Sequence, residues 1–141
     1  ECRVYVNPSR SEWMIGLDTT AMIDLFKGVE SIKQVLKKNK EPLCATRITY
    51  LELMFGIDPG RHKNEEAFYD AFYSTLYALE LDTESCKKAG RLFQELKQKG
   101  KTIGEFDCVI ASMFLSNGVK KIVTRNKKDF EKIPGLKVLS Y

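Results

Sequence analysis

The sequence is poor in the residues that build zinc sites and disulfide frameworks. It contains a single histidine, His62, and four scattered cysteines with no Cys-x-x-Cys pair among them. Structural zinc sites combine Cys and His ligands at short, regular spacings, so the sequence gives little support for a zinc cage. It implies no disulfide framework either. We expect the cysteines to be small apolar side chains of a reduced, cytoplasmic protein.

Long apolar runs are also missing. No uninterrupted apolar stretch approaches the roughly 20 residues that a membrane span needs, and no basic region followed by an apolar signal core opens the chain. We therefore expect a cytoplasmic protein with no membrane partner. Residues 1–13 match no element that we can place, whereas Met14 leads directly into an apolar segment. We interpret residues 1–13 as an N-terminal extension and residues 14–141 as the folded domain.

The composition and the apolar pattern predict one α/β domain. With 141 residues, 43% of them hydrophobic and 30% charged, the chain can bury one substantial core but not two. Short apolar runs alternate with longer amphipathic stretches, which is typical of a parallel sheet flanked by helices. Strands are expected at residues 14–17, 42–45, 77–81, 121–124 and 137–139. Helices are expected at residues 20–27, 30–38, 47–55, 64–76, 83–99 and 105–116.

The net charge of +4 is unevenly distributed along the chain. Seven bases lie between Gly118 and Lys137, where the acids are Asp129 and Glu131, and a second basic run spans residues 33–40. Such runs are usually solvated surface, which is one interpretation here. The other is a basic surface that steers a polyanion such as nucleic acid toward an acidic pocket.

Four carboxylates stand inside or just after apolar segments: Asp18, Glu52, Asp107 and Asp129. Asp18 and Asp129 follow the ends of predicted parallel strands, where open α/β sheets bind their ligands. Each of the other two shares a helix stripe with apolar residues. Glu52 shares its stripe with Ile48 and Phe55. Asp107 shares its stripe with Ile110, Ala111 and Phe114. Because unpaired buried carboxylates lose their hydration, four converging acids suggest a divalent cation as their partner.

Each acid also has a purely structural explanation. Asp18 could cap a helix, and Asp107 could be favoured by the helix dipole in a first turn. Asn126 and Asp129 could form a cap pair for a short turn. Glu52 is harder to explain in this way, because a mid-helix carboxylate on an apolar face needs a cation or a hydrogen-bond network. Whether the four acids converge is therefore the decisive question.

Four short segments carry these acids. They are Leu17-Asp18-Thr19, the helix with Thr49 and Glu52 followed by Gly56, the run from Ile103 to Ala111 around Asp107, and the run from Val123 to Phe130 with Thr124-Arg125-Asn126. This ordered set resembles the four acidic motifs of PIN-domain nucleases. With the tail from Ile133 to Val138, it looks like the VapC-type toxins of toxin-antitoxin pairs. The resemblance covers about residues 14–141.

The resemblance implies a single PIN-like domain, with a mostly parallel central sheet flanked by helices, and a ribonuclease that depends on Mg²⁺ or Mn²⁺. By this resemblance, Asp18 and Asp107 would be the main metal ligands, and Glu52 and Asp129 would complete the acidic site or hold a second ion. Oxygen-only ligands suit such hard cations. The candidates for orienting carboxylates, water or phosphate are Thr19, Thr124 and Asn126. The candidates for binding RNA are Arg125, Lys127 and Lys128.

The same resemblance implies partners: an RNA substrate, a second copy of the chain in a homodimer, and a cognate antitoxin that covers the acidic cleft. Two departures accompany it. Thr19 stands where family members often have Asn, although its hydroxyl can still make a hydrogen bond. Glu105 adds an acid near Asp107 whose role the sequence leaves open.

Two other functions stay open at the level of the sequence. One is a catalytically silent PIN-like domain that binds RNA or protein, against which the four intact acids argue. The other is a metal-dependent phosphohydrolase acting on a small phosphate ester. It would more naturally show an aspartate nucleophile beside another acid, or a glycine-rich phosphate loop, and neither is evident in the sequence.

Overall fold

A five-stranded parallel sheet forms the centre of the structure, a computed structural model that describes residues 13–61 and 64–141. Its strands are β1 (Ile15–Leu17), β2 (Leu43–Thr46), β3 (Tyr77–Leu79), β4 (Lys121–Val123) and β5 (Lys137–Leu139). They lie in the order β3-β2-β1-β4-β5, and every neighbouring pair is parallel. The prediction of a mostly parallel sheet is confirmed.

Seven helices in the described residues connect and cover the strands. They are α1 (Thr19–Phe26), α2 (Glu30–Lys38), α3 (Arg47–Gly56), α4 (Glu65–Tyr73), α5 (Thr83–Gln98), α6 (Glu105–Ser116) and α7 (Lys127–Phe130). Six of them agree with the predicted helices to within three residues at either end, whereas the four-residue α7 is additional. None of the helices in this part of the chain is long and apolar enough to cross a membrane.

Side-chain caps explain where several helices begin. Asp18 accepts a hydrogen bond from the Ala21 amide at the start of α1, and Thr46 accepts one from the Thr49 amide at the start of α3. Such caps satisfy amide groups that have no partner inside the helix. They also fix two helix starts directly after β1 and β2, at the carboxyl edge of the sheet.

Two apolar cores lie on opposite faces of the sheet. Ile15, Leu17 and Val123 belong to one core, whereas Cys44 and Ile122 belong to the other. Neighbouring residues of a strand point to opposite faces, so the short, mostly apolar strands supply both cores at once.

The strand order creates a crevice beside β1. The chain passes from β1 to β2 on one side, and it later returns to β4 on the other side of β1. Ligands of open α/β sheets bind beyond the carboxyl ends of the strands at such a reversal. Asp18 follows β1 directly and Thr124 follows β4 directly, so both lie at this crevice.

Phe55 corrects the stripe predicted for α3. It was expected to lie inward with Ile48 and Glu52, but 73% of its surface is exposed. Phe55 lies in the last turn of α3, and the space beside the adjacent Gly56 is open: a Cβ there would contact nothing within 4 Å. Ile48 is half-buried, as the stripe predicts, and packs against the core.

Residues 1–12 of the proposed N-terminal extension lie outside the described residues, as does His62. Trp13, the last residue of that segment, is described and is 68% exposed. Met14 is buried in one of the two cores, next to the start of β1. The division at Met14 stays a prediction.

The substitution Gly16→Ala is expected to lower the free energy of unfolding by about 1–3 kcal/mol, the usual cost of overpacking a core. A Cβ on Gly16 would come within 2.7 Å of the ring of Phe114, which is fully buried. Urea denaturation followed by circular dichroism measures the change. The control is Gly90→Ala in α5, where a Cβ meets nothing within 4 Å. This control should stabilise the protein by about 0.5–1 kcal/mol, and equal effects of the two variants would contradict the account.

Candidate active site

Asp18 is held rigidly at the carboxyl end of β1. Its side chain is buried, and one oxygen accepts hydrogen bonds from the Ala21 amide at 2.9 Å and the Thr20 hydroxyl at 2.8 Å. The other oxygen accepts one from the Thr124 hydroxyl at 2.6 Å. Burial raises the pKa of Asp18, and these three hydrogen bonds oppose the rise. The carboxylate therefore has one fixed orientation.

Glu52 reaches the same region from the middle of α3. Its Oε1 atom accepts a hydrogen bond from the Thr19 hydroxyl at 2.6 Å, and the Thr19 and Thr49 hydroxyl oxygens lie 3.2 Å apart. Glu52 is half-buried. Thr19 directly follows Asp18 in the chain, so the hydrogen bond from Thr19 links Glu52 to the residue next to Asp18.

Asn126 joins the remaining two acids. Its side-chain amide donates to Asp107 Oδ2 at 3.2 Å and to Asp129 Oδ2 at 3.1 Å. The Lys132 ammonium donates to the other oxygen of Asp129 at 3.3 Å. Asp107 lies in the first turn of α6 and Asp129 lies in α7. The structure thus brings together two acids that lie far apart in the sequence.

The four acids affect one another electrostatically. The pKa of Asp107 is raised to about 6, first by burial and then by the negative charges of Asp18, Glu52 and Asp129. The hydrogen bond from Asn126 lowers it only in part. Like charges that raise a pKa in this way lie close enough to repel one another. The convergence that the sequence left open is therefore present in the structure.

The donor set suits a hard cation that keeps part of its water shell. Among residues 13–61 and 64–141, no three His, Cys, Asp or Glu side chains are arranged to hold one ion together. Mg²⁺ usually retains several waters and binds through one or two carboxylates. Asp18 and Asp107 can supply these, and a cation would relieve the repulsion that raises the pKa of Asp107.

An open cleft leads to this cluster. It is lined by Glu52, Gly104, Glu105, Phe106 and Asp107. Glu105 is an exposed member of this lining, two residues before Asp107.

Sequence reasoning missed several supporting groups. Thr20 is one of them, because its hydroxyl donates to Asp18 and lies 3.4 Å from the Thr124 hydroxyl. Lys132 lies beyond the end of α7, where no helix was predicted, so no sequence signal indicated it. Thr49 belongs to the motif around Glu52 but was given no role, because its contact with Thr19 depends on the tertiary fold.

The three basic residues predicted to bind RNA lie beside the cluster, and all three are exposed. Lys127 pairs with Glu131 in the neighbouring turn, at 3.5 Å. Arg125 pairs with the buried Asp24, its Nε atom lying 3.3 Å from Oδ2. Two of the three basic residues therefore already pair with an acid of this chain.

Comparison with known proteins matches this chain to a protein family. The family model described as the PIN domain matches residues 15–136. The chain is 32% identical over 124 residues to the tRNA(fMet)-specific endonuclease VapC of Salmonella typhimurium, covering 86% of this chain and 93% of that protein.

Solved structures of similar proteins have the same fold as this chain. The chain resembles DNA-bound VapBC from Salmonella typhimurium, with a TM-score of 0.78 and 29% identity, covering 90% of this chain and 97% of that one. It also resembles a toxin-antitoxin complex from Klebsiella pneumoniae, with a TM-score of 0.71 and 27% identity, covering 89% and 95% of the two chains. The match therefore extends over nearly the whole fold.

Proposed function

The chain belongs to the PIN-domain family, and we propose that it is a metal-dependent ribonuclease that acts as the toxin of a toxin-antitoxin pair. The family is the one that the four acidic motifs indicated from the sequence. One structural observation carries the proposal: Asp107 shares its surroundings with three other acids, whose charges raise its pKa. Such a cluster has a chemical purpose when a cation binds to it.

Within this proposal, Asp18 and Asp107 hold Mg²⁺ or Mn²⁺, and Glu52 and Asp129 complete the acidic site or hold a second ion. The bound ion supplies an acidified water and stabilises negative charge on phosphoryl oxygens. Thr124 orients Asp18 and Thr19 orients Glu52, through the hydrogen bonds at 2.6 Å. Both act by holding a carboxylate in place.

Asn126 has a different position. Its amide bridges Asp107 and Asp129, so it fixes the distance between two like charges while donating to both. Lys132 offsets part of the negative charge of Asp129. These contacts make the cluster tolerable in the absence of a cation.

The partners follow from the relatives. We propose a cognate antitoxin, because the chain resembles VapBC and toxin-antitoxin complexes over nearly its full length. We also propose a homodimer, on the resemblance to VapC-type toxins, and light scattering of the purified chain measures it. The expected location is the cytoplasm, where RNA substrates are present.

The substrate class separates this function from the two alternatives. The purified protein is incubated with a structured RNA pool or with bis(p-nitrophenyl) phosphate, in the presence of Mg²⁺. We expect cleavage of the RNA and no hydrolysis of the small ester. Hydrolysis of the ester would favour a phosphohydrolase, and retention of RNA without cleavage would favour a silent binding domain.

The double substitution Lys127→Gln/Lys128→Gln is expected to weaken RNA binding and to flatten its salt dependence. Both side chains are exposed beside the acidic cluster. Each lost phosphate contact should reduce the slope of log K against log salt concentration by about 0.7 for single-stranded RNA. Fluorescence anisotropy over a series of salt concentrations measures the slope.

The matched control is Lys37→Gln/Lys38→Gln. This pair of exposed lysines ends α2, from which the chain enters β2 at its amino end, opposite the acidic edge of the sheet. Its removal should leave the slope unchanged. Equal slopes for the wild type and the Lys127/Lys128 variant would return those two lysines to ordinary solvated surface.

A further inference from the structure

A second buried carboxylate lies on α1, outside the acidic cluster. Asp24 is only 5% exposed, and its sequence neighbours Ile23 and Leu25 are apolar. A buried carboxylate without partners would strongly destabilise the fold, so Asp24 depends on the groups that pair with it. Both of its side-chain partners come from distant parts of the chain.

One partner is Tyr141, whose hydroxyl donates a hydrogen bond to Asp24 Oδ2. Burial and the neighbouring Asp24 raise the pKa of Tyr141, so its hydroxyl stays protonated as a donor. The other partner is Arg125, whose Nε atom lies 3.3 Å from the same oxygen. One carboxylate oxygen therefore ties α1 to the segment after β4 and to the second residue after β5.

Arg125 is joined to the acidic cluster through its backbone. Its amide donates to the Thr20 hydroxyl at 3.0 Å, and that hydroxyl donates to Asp18 at 2.8 Å. The two neighbours of Arg125 also hold acids: Thr124 donates to Asp18, and Asn126 bridges Asp107 and Asp129. The position of Arg125 therefore sets the positions of the groups on either side of it.

We propose that Tyr141 and Asp24 are positioning residues of the active site, which hold Arg125 and thereby fix residues 124–126 against the four acids. This inference rests on the proposed ribonuclease function for its catalytic consequence. It assigns Arg125 a role that differs from RNA binding, since its Nε atom is directed at Asp24. The competing explanation is that Tyr141 merely fastens the end of the chain to α1, with no effect on the acids.

The substitution Tyr141→Phe separates the two explanations, because it removes the hydroxyl and keeps the ring. The matched control is Tyr50→Phe, where the hydroxyl also donates to a carboxylate, Asp70, at 2.6 Å. That pair joins α3 to α4 and touches none of residues 124–126. Both variants lose one tyrosine-carboxylate hydrogen bond.

The first measurement is amide hydrogen exchange by NMR in the metal-free protein. The amides of Arg125 and Asn126 are hydrogen-bonded to the Thr20 and Thr124 hydroxyls. Tyr141→Phe should speed their exchange by about tenfold, because local opening becomes easier, and Tyr50→Phe should leave both unchanged. This result is independent of any catalysis.

The second measurement is steady-state RNA cleavage. We expect Tyr141→Phe to lower kcat by about tenfold with little change in KM, since small displacements of positioned groups reduce the rate of the chemical step. Adding Asp24→Asn to Tyr141→Phe should lower kcat further, because it removes the charge that pairs with Arg125.

The outcomes are distinct. A lower melting temperature with unchanged exchange at Arg125 and Asn126 would overturn the proposal in favour of a simple fastening of the chain end. So would a kcat equal to that of Tyr50→Phe. Faster exchange in a protein that cleaves no RNA would support the positioning of residues 124–126, and it would count against the ribonuclease function alone.

Discussion

The substitution Asp107→Asn is expected to lower kcat for RNA cleavage by about 10³-fold or more. Each factor of ten in rate corresponds to about 1.36 kcal/mol of lost transition-state stabilisation. Asparagine keeps the shape of the side chain and can still accept the hydrogen bond from Asn126, but it removes the charge that attracts a cation. Asp107 is the acid on which the charges of Asp18, Glu52 and Asp129 act. Single-turnover cleavage of a labelled RNA measures the loss, and circular dichroism checks the fold.

The comparison variant is Glu105→Gln, two residues earlier on the same helix. Glu105 is exposed, whereas Asp107 is half-buried and accepts a hydrogen bond from Asn126. We expect its kcat to stay within about threefold of the wild type, which is under 1 kcal/mol. An equal loss in both variants would indicate that the general negative charge of the cleft, rather than Asp107, carries the activity.

Asp107→Asn is also expected to stabilise the metal-free protein near pH 7.5. The pKa of Asp107 rises from 3.8 to about 6 on folding, which corresponds to at most about 3 kcal/mol. Because the side chain is half-buried, solvent screening reduces this to about 1–2 kcal/mol. Asp107→Asn should therefore raise the free energy of unfolding in EDTA by that amount.

The sign of this effect depends on pH. Between pH 3.8 and about 6 the folded protein binds more protons at Asp107 than the unfolded chain does, so stability falls as the pH rises. Above pH 6 the full penalty is present. The advantage of Asp107→Asn should thus be small at pH 4 and largest above pH 6. Urea denaturation in EDTA at several pH values measures it.

Asp82 provides a comparison of opposite sign. Its pKa is lowered, chiefly by the hydrogen bond from the Ser85 amide at the start of α5. The stability that it contributes is present at neutral pH and is lost as the pH falls through its folded pKa. Asp82→Asn should therefore give no gain at pH 7.5. A gain from Asp82→Asn equal to that from Asp107→Asn would show that removing any acid stabilises the chain.

Much of the fold could be predicted from the sequence because its signals are local. Continuous apolar runs marked the parallel strands, and the ends of α2 and α6 agree with the predicted helices at both termini. Asp18 could be placed because it directly follows a strand, and a parallel sheet brings the carboxyl ends of its strands to one edge. Asp129 was also expected just after a strand end, but it lies further along the chain, in α7.

The features that the sequence did not predict depend on tertiary contacts, or they lie in elements too short to show a helical period. The α7 helix has four residues, too few to show a helical period. Phe55 has the spacing of a buried residue, but it lies exposed in the last turn of α3. The contact of Tyr141 with Asp24 joins two ends of the domain, and no sequence spacing indicates it.

The most direct test of the account is the metal dependence of RNA cleavage by the purified protein. A structured RNA pool is incubated with the wild type in Mg²⁺, Mn²⁺ or EDTA, beside Asp107→Asn purified in the same way. The account predicts cleavage by the wild type with either metal, no cleavage in EDTA and none by the variant. Cleavage that persists in EDTA, or that Asp107→Asn retains at the wild-type rate, would contradict the assignment of the four acids as the catalytic centre.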